Sequence, residues 1–292
     1  MSNLPPEEAD VFRMGIIGDL HTHWDDIDVH QIGSRNYDLL FFIGDLGGGT
    51  PDSSLRMARS IARLRQPTLV MPGNNDTFEI DQLAAELNHQ QGVNKILAIT
   101  QRSESGSIKL CGYSHHRVSA AGSELSLLAA RPHSMGGPTL TFPEYMAETY
   151  GINSLEESQQ RLRNMVDEAS QDIIFLAHNG PAGLGDSPGD MWGCDFKPGG
   201  GDWGDTDLAW AIGYARSRQK RVRAVIAGHM HLKTKQGEQR PWQQVIDDTC
   251  YINAARVPRI FDVDDDVYRH HVMLRIDATG MTFSEELLPQ YG

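Results

Sequence analysis

Apolar residues fall into short, dense runs separated by longer stretches in which apolar and polar positions alternate with a helical period. The runs Met14–Gly18, Tyr37–Gly44, Thr68–Met71, Asp172–Ala177 and Val222–Gly228 are rich in Ile, Leu, Val and Phe and are bounded by turn residues. Their length and composition predict buried strands rather than helices. Between them, Leu55, Ala58, Ile61, Ala62 and Leu64 of the segment Ser53–Arg65 fall mostly on one helical stripe. Ile80, Leu83, Ala84 and Leu87 repeat that spacing. Ser154-x-x-Glu157 has the form of a capping box, opening a helix that turns Leu155, Leu162, Met165 and Val166 inward. From about Trp242 to Leu288 the chain reads as several strands with Asp-rich turns. The pattern predicts an α/β fold with a layered core, as one domain over residues 1–292.

Two stretches break the alternation. Residues 119–151 carry scattered Pro, Gly and Ser, including Arg131-Pro132-His133-Ser134-Met135-Gly136-Gly137-Pro138. Residues 183–207 hold eight glycines and six aspartates, with Trp192 and Trp203 among them. Loops this long in a compact domain are usually functional, so both are expected to be lid-like inserts. The aspartates do not follow the spacing of an EF-hand calcium loop.

Lys and Arg total 26 and Asp and Glu 39, for a net charge of −13. That balance excludes a protein held mainly by nucleic-acid phosphates and a polybasic membrane-surface binder. Cys111, Cys194 and Cys250 are far apart with no CxxC pair, so neither a zinc ribbon nor a disulfide framework is expected. The segment Met1–Glu8 has no signal-peptide character, and no apolar run is long enough to span a bilayer. A cytoplasmic location is expected.

Candidate chemistry gathers at strand ends. The first run leads into Gly18-Asp19-Leu20-His21, the second into Gly44-Asp45, and the third into Gly73-Asn74-Asn75-Asp76. The fourth ends at His178, and the fifth at Gly228-His229-Met230-His231. A lone D-x-H or GD is ordinary turn chemistry. Five strands that each deliver Asp, His or Asn past the carboxyl end indicate a ligand site of an open α/β sheet. Oxygen and imidazole donors without thiolate suit Mn, Fe, Zn or Ni better than a structural zinc.

These ordered motifs resemble the calcineurin-like metallophosphoesterase superfamily over about residues 14 to 257. The resemblance implies a four-layer α/β/β/α sandwich and two divalent ions, Mn2+ or Fe/Zn. It matches Asp19, His21 and His231 to ligands of the first ion, Asn74, His178 and His229 to the second, and Asp45 to both. Tyr251–Ala255 looks like the fold's post-site strand and turn, and the implied chemistry is phosphoester hydrolysis by a metal-bridged hydroxide. Further stretches, including His178–Pro181 and Asn253–Ile260, resemble a subgroup known mainly from photosynthetic bacteria and plants.

The departures shape the functional expectation. Thr22 stands where many members have Gly, Gly47 and Gly48 replace the second carboxylate region, and Asn75 replaces the usual His of the third motif. Neutral Asn can donate a hydrogen bond but cannot shuttle a proton, which argues against a protein phosphatase. Asn75, Asp76 and His23 are the catalytic candidates, with Asp76 accepting a hydrogen bond from a ligand or from Asn75. His115, His116, Trp192 and Trp203 are the substrate-binding candidates; the two histidines could also supply a proton. His30, His89, His270 and His271 are expected at the surface. The expected substrate is a small phosphomonoester or phosphodiester. The alternatives are a binding scaffold without turnover and, against the charge, a nuclease.

Overall fold

The computed structural model describes residues 11–48, 51–79 and 108–290. The segment carrying Ile80, Leu83, Ala84, Leu87 and His89, and the start Met1–Glu8, lie outside the described residues. Each dense apolar run forms a strand: β1 (Phe12–Ile17), β2 (Leu39–Phe42), β3 (Thr68–Val70), β7 (Asp172–Asn179) and β8 (Arg221–Gly228). β4 (Ile108–Leu110), β5 (Ser114–Ala120) and β6 (Ser123–Ala129) lie between β3 and β7 in sequence. The C-terminal part adds β9 (Gln243–Ile246), β10 (Thr249–Asn253), β11 (Ile260–Val263), β12 (Asp266–Asp277) and β13 (Gly280–Pro289).

The strands form two sheets. One runs β11-β12-β1-β2-β3-β4, with β13 also paired to β12; the other runs β5-β6-β7-β8-β10-β9. β1, β2, β3 and β4 are parallel neighbours, as are β6, β7, β8 and β10. Parallel strands are normally covered on both faces, and the side chains divide accordingly. Ile16, Phe41, Ile174, Leu176 and Ile226 enter the core between the sheets. Ile17, Leu40 and Phe42 point the other way, onto α1 (Asp26–Gly33) and α2 (Pro51–Ile61), where they meet Ile32, Ala58 and Ile61. Ile173 and Phe175 pack outward with Leu162 and Val166 of α4 (Leu155–Glu168) and Leu208 and Ile212 of α5 (Thr206–Ser217). The layers are therefore helix, sheet, sheet, helix.

Local chemistry explains the helix ends. Ser154 caps α4 by accepting from the Glu157 backbone N–H at 3.3 Å. The Glu157 carboxylate reaches one residue further back than a capping box requires, to the Asn153 backbone N–H at 2.7 Å. Asp25 and Asp28 form a full reciprocal capping box on α1.

Residues 119–151 are not one long loop. They contain the end of β5, all of β6 and the helix α3 (Pro143–Tyr150), which the scattered Pro and Gly obscure. His270 and His271 are buried rather than at the surface. His271 Nε2 lies 2.6 Å from the Tyr37 hydroxyl, and His270 Nε2 lies 3.0 Å from Glu285. β12 is an interior strand flanked by β1, β11 and β13, so His270 and His271 in its middle are buried. His30 is exposed, as expected.

Candidate metal centre

The five motifs converge at the carboxyl ends of the strands. Asp19, His21 and His231 form one group of potential ligands, and Asp45, His178 and His229 a second; within each group the donor atoms lie within 4.8 Å of one another. Each group draws on both sheets. Asp19 and His21 follow β1, Asp45 follows β2 and Asn74 follows β3, whereas His178 ends β7 and His229 and His231 follow β8.

Asp45 joins the groups. Its Oδ2 lies 3.7 Å from His21 Nε2, and its Oδ1 lies 3.6 Å from His178 Nε2. His21 Nε2 and His231 Nε2 are 3.1 Å apart, and Asn74 Oδ1 is 3.0 Å from His178 Nε2. Such close approach of lone-pair donors is what a shared cation requires. The tautomers agree. His178 Nδ1 donates to the Ile43 carbonyl at 2.9 Å, which leaves the Nε2 lone pair facing Asp45. His229 Nε2 donates to the Met135 carbonyl at 3.2 Å, leaving its lone pair on Nδ1. All seven donors are hard or borderline, and their convergence fits two divalent ions.

Backbone strain marks the same residues. His21, Asp45 and His229 have φ values of 41°, 46° and 66°. Left-handed backbone costs a non-glycine residue energy and persists where the surroundings enforce it, commonly at functional sites. Gly73 permits the closest approach in the cluster. A Cβ there would stand 2.2 Å from Asp45 Oδ1 and 2.7 Å from His178 Cε1.

Electrostatics set the two groups apart. Burial opposes ionisation of Asp45, but the imidazoles of His178, His21 and His229 outweigh it and hold its carboxyl below the usual range. Burial also opposes charge on His178, but Asp45 and Asp19 raise its proton affinity. Burial, reinforced by His178, presses His229 down to about 3. The side chains of Asp45 and His178 are almost wholly enclosed, whereas those of His21 and His231 are 23% and 38% exposed. Each group thus combines enclosed residues with a half-buried side, Asp19 against His21 and His231 in one and Asp45 and His178 against His229 in the other.

The catalytic candidates have distinct places. Asn75 is exposed and grips Asp45 twice, through its backbone N–H at 2.9 Å and its side-chain amide at 2.7 Å. Asp76 is buried and accepts from the backbone N–H groups of Gly73, at 3.0 Å, and Leu46, at 3.1 Å. Its partners are thus backbone amides, with Ser54 Oγ at 3.5 Å, instead of Asn75 or a ligand side chain. Burial, then the nearby Asp45, raises its carboxyl to about 7. His23 is half-buried, and its Nδ1 donates to the Leu20 carbonyl at 3.2 Å.

The substrate-binding candidates divide. His115 and His116 sit on β5, an edge strand, rather than on a lid. His115 Nε2 lies 2.8 Å from Ser126 Oγ and His116 Nε2 2.9 Å from Ser114 Oγ. Neither joins a ligand group. Trp192 is completely buried, with its indole N–H on the Gly228 carbonyl at 3.2 Å, so it supports the site from beneath and cannot wall a substrate. Trp203 is half-buried and donates to the Met135 carbonyl at 2.7 Å, the same oxygen that receives His229. Exposed Phe196 stands edge-on to it, with ring centroids 5.2 Å apart.

Several supporting residues escaped the sequence reading. Asn253 donates to the Met230 carbonyl, between ligands His229 and His231, at 2.7 Å. Buried Arg240 donates to the His231 carbonyl at 2.6 Å and to Gly193 at 2.7 Å. Arg131, 1% exposed, pairs with both Asp205 and Asp207 at 2.9 Å. For the two arginines the only sequence signal was a charged residue beside turn residues, which is common at surfaces, whereas Asn253 falls in the stretch Tyr251–Ala255 that resembles the fold's post-site strand and turn.

No curated protein matches the sequence. One solved structure superposes with a TM-score of 0.57 at 12% identity, covering 94% of this chain and 98% of that chain. A metallophosphoesterase from Sphaerobacter thermophilus gives a TM-score of 0.35 at 13% identity, over 95% of this chain and 88% of its own. GAP50, the anchor in the inner membrane complex of Plasmodium, gives 0.49 at 9%, over 97% and 85%. The first of these supports the fold; the other two likenesses are too distant to bear on it. The family described as calcineurin-like phosphoesterase matches residues 12–233, about three quarters of the sequence. With its ordered strand-end motifs assembled into one centre, the chain belongs to the calcineurin-like phosphoesterase family.

Proposed function

We propose that this protein is a dinuclear-metal phosphoesterase that hydrolyses a small phosphomonoester or phosphodiester. The observation that carries the reading is Asp45, whose two carboxylate oxygens face two separate sets of imidazoles. Asp19, His21 and His231 would hold one ion, Asn74, His178 and His229 the other, and Asp45 both. Bound there, Mn2+ or Fe/Zn ions supply Lewis acidity toward a phosphoryl oxygen and acidify water.

The chain's own residues do the rest. The Ile43 and Met135 carbonyls fix the rings of His178 and His229. Asn75 holds Asp45 in position and presents an amide, not an acid, at the exposed side of the centre. A leaving group that needs little protonation, or one protonated by His23, suits that arrangement. Trp203 and Phe196 offer an apolar edge for an organic leaving group beside His229. The net charge of −13 favours a compact substrate over nucleic acid. Three free cysteines suit a reducing, cytoplasmic setting; among the described residues no helix is long and apolar enough to cross a membrane.

The test is hydrolysis of p-nitrophenyl phosphate and bis(p-nitrophenyl) phosphate by Mn-loaded protein, alongside Asp45→Asn. Turnover that Asp45→Asn abolishes supports the reading. Metal-loaded protein inactive on both esters overturns it in favour of a binding scaffold, the alternative that Asn75 suggests.

A further inference from the structure

The segment Arg131–Gly137 contacts the second ligand group at two points, His133 and Met135. The His133 backbone N–H donates to the Pro72 carbonyl at 2.9 Å, and its Nδ1 donates to the Gly73 carbonyl at 2.9 Å. These two carbonyls immediately precede Asn74. Two residues on, the Met135 carbonyl receives Nε2 of His229. One short segment therefore holds His229 itself and the backbone that leads into Asn74, and neither contact involves Asp19, His21 or His231.

The segment is itself anchored from beneath. Arg131 forks onto Asp207, with Nε 2.9 Å from Oδ2, and also reaches Asp205 Oδ1 at 2.9 Å. Ser134 Oγ donates to the same Asp205 oxygen at 2.5 Å, and the backbone N–H of Gly136, two residues on, donates to Ser134 Oγ at 2.9 Å. The carboxylates belong to the start of α5 (Asp207) and the residue capping it (Asp205), so the strap is tied to the outer helical layer. His133 is 1% exposed and held at φ 57°, and its Nε2 is buried without a hydrogen-bond partner. A buried polar nitrogen and a left-handed backbone are both costly, and an apolar residue at this position would avoid the first cost. What the imidazole provides in exchange is the Nδ1–H on Gly73.

We propose that His133 is a positioning residue for the second metal site: by holding the Gly73 carbonyl it sets Asn74 against His178 and raises affinity for one of two ions selectively. The proposal rests on the two-ion reading above. Outer contacts to metal-binding residues typically change affinity by about 10–100-fold when lost, and a change of that size is expected here. Asn can place its amide N–H where Nδ1 stands, whereas Gln reaches further, toward the Nε2 position.

The experiment is calorimetric titration of metal-free full-length protein with Mn2+, together with the electron paramagnetic resonance signal of a coupled Mn pair. The variants are His133→Ala, His133→Asn and His133→Gln, each also made with His21→Ala, which leaves the second site as the remaining one. The expected result is that His133→Ala weakens one equivalent by about 10–100-fold and loses the coupled signal, while the other equivalent binds as before. His133→Asn restores both, and His133→Gln does not. If Ala unfolds the protein, the contrast between Asn and Gln decides. Two unchanged equivalents, or equal weakening of both, overturn the positioning role. Wild-type protein that binds fewer than two ions overturns the two-ion reading itself, a distinct outcome.

Discussion

The side-chain amide of Asn75 donates to Oδ2 of Asp45 at 2.7 Å. The residue that stands in place of the usual histidine of the third motif thus acts on the carboxylate proposed to bridge the two ions. Its effect on rate should then be independent of the leaving group. Asn75→Ala is expected to lower kcat by about 10–100-fold, by a similar factor for aryl phosphates of low and high leaving-group pKa. A loss that grows with leaving-group pKa would identify Asn75 with proton delivery instead. Kinetics across a series of substituted phenyl phosphates makes the check.

Gly73 should be irreplaceable for a steric reason. A Cβ at this position would lie 2.4 Å from the Asp45 backbone nitrogen as well as 2.2 Å from its Oδ1. Neither atom can yield without moving a ligand. Gly73→Ala is expected to cost about 1–3 kcal/mol, typical of overpacking, and to reduce the bound metal. Urea denaturation and elemental analysis would show both effects.

Breaking the buried ion pairs under the strap should be costly. Arg131→Leu leaves the carboxylates of Asp205 and Asp207 buried without their cation. The expected loss is about 3–5 kcal/mol, the scale seen when one partner of a buried pair is removed. Thermal unfolding of the variant at neutral pH is the measurement.

Acid should weaken the fold through its buried histidines. Burial, with Lys109 and His115 adding to it, pushes His116 down to about 3; burial and Arg259 push His271 well below its ordinary value. Both are neutral when folded but take up a proton near pH 6.5 when unfolded. The unfolded chain therefore binds more protons, and stability falls as pH drops below about 6.5, continuing toward 3 for His116. At pH 5 each group should cost roughly 2 kcal/mol relative to pH 8. His116→Gln is expected to flatten that pH dependence by one group's share. Stability of wild type and variant that falls with the same slope between pH 8 and 5 would contradict the assignment.

Sequence legibility followed the physics of each feature. Strands such as β1 and β7 were readable because burial on both faces demands continuous apolar runs. Asp19, His21, Asp45 and Asn74 were readable because a strand end followed by glycine is a local pattern. α1 and α3 were not, since their faces carry few apolar residues and their ends rest on Asp25 and Pro143. His133, Arg131 and Asp205 were invisible for another reason. Their partners are 60 to 76 positions away, and nothing local distinguishes a buried arginine from a solvated one. Trp192 shows the converse error, because a tryptophan in a Gly/Asp-rich stretch looks exposed until the Gly180 and Gly228 backbones are seen to enclose it.

Each proposed ion would take ligands from both sheets: Asp19, His21, Asp45 and Asn74 follow strands of one, and His178, His229 and His231 come from strand ends of the other. Occupancy of the centre and cohesion of the sandwich are therefore linked equilibria. Ions that bind only the folded chain stabilise it by RT ln(1 + [M]/Kd), and here that energy acts at one end of the inter-sheet seam. Chelation should loosen the carboxyl ends of β1, β2, β7 and β8 together, while their amino ends, closed by Phe12, Leu125 and Ile276, stay shut. Amide exchange would record that as a hinge opening from the active end, with metal concentration setting how often it opens.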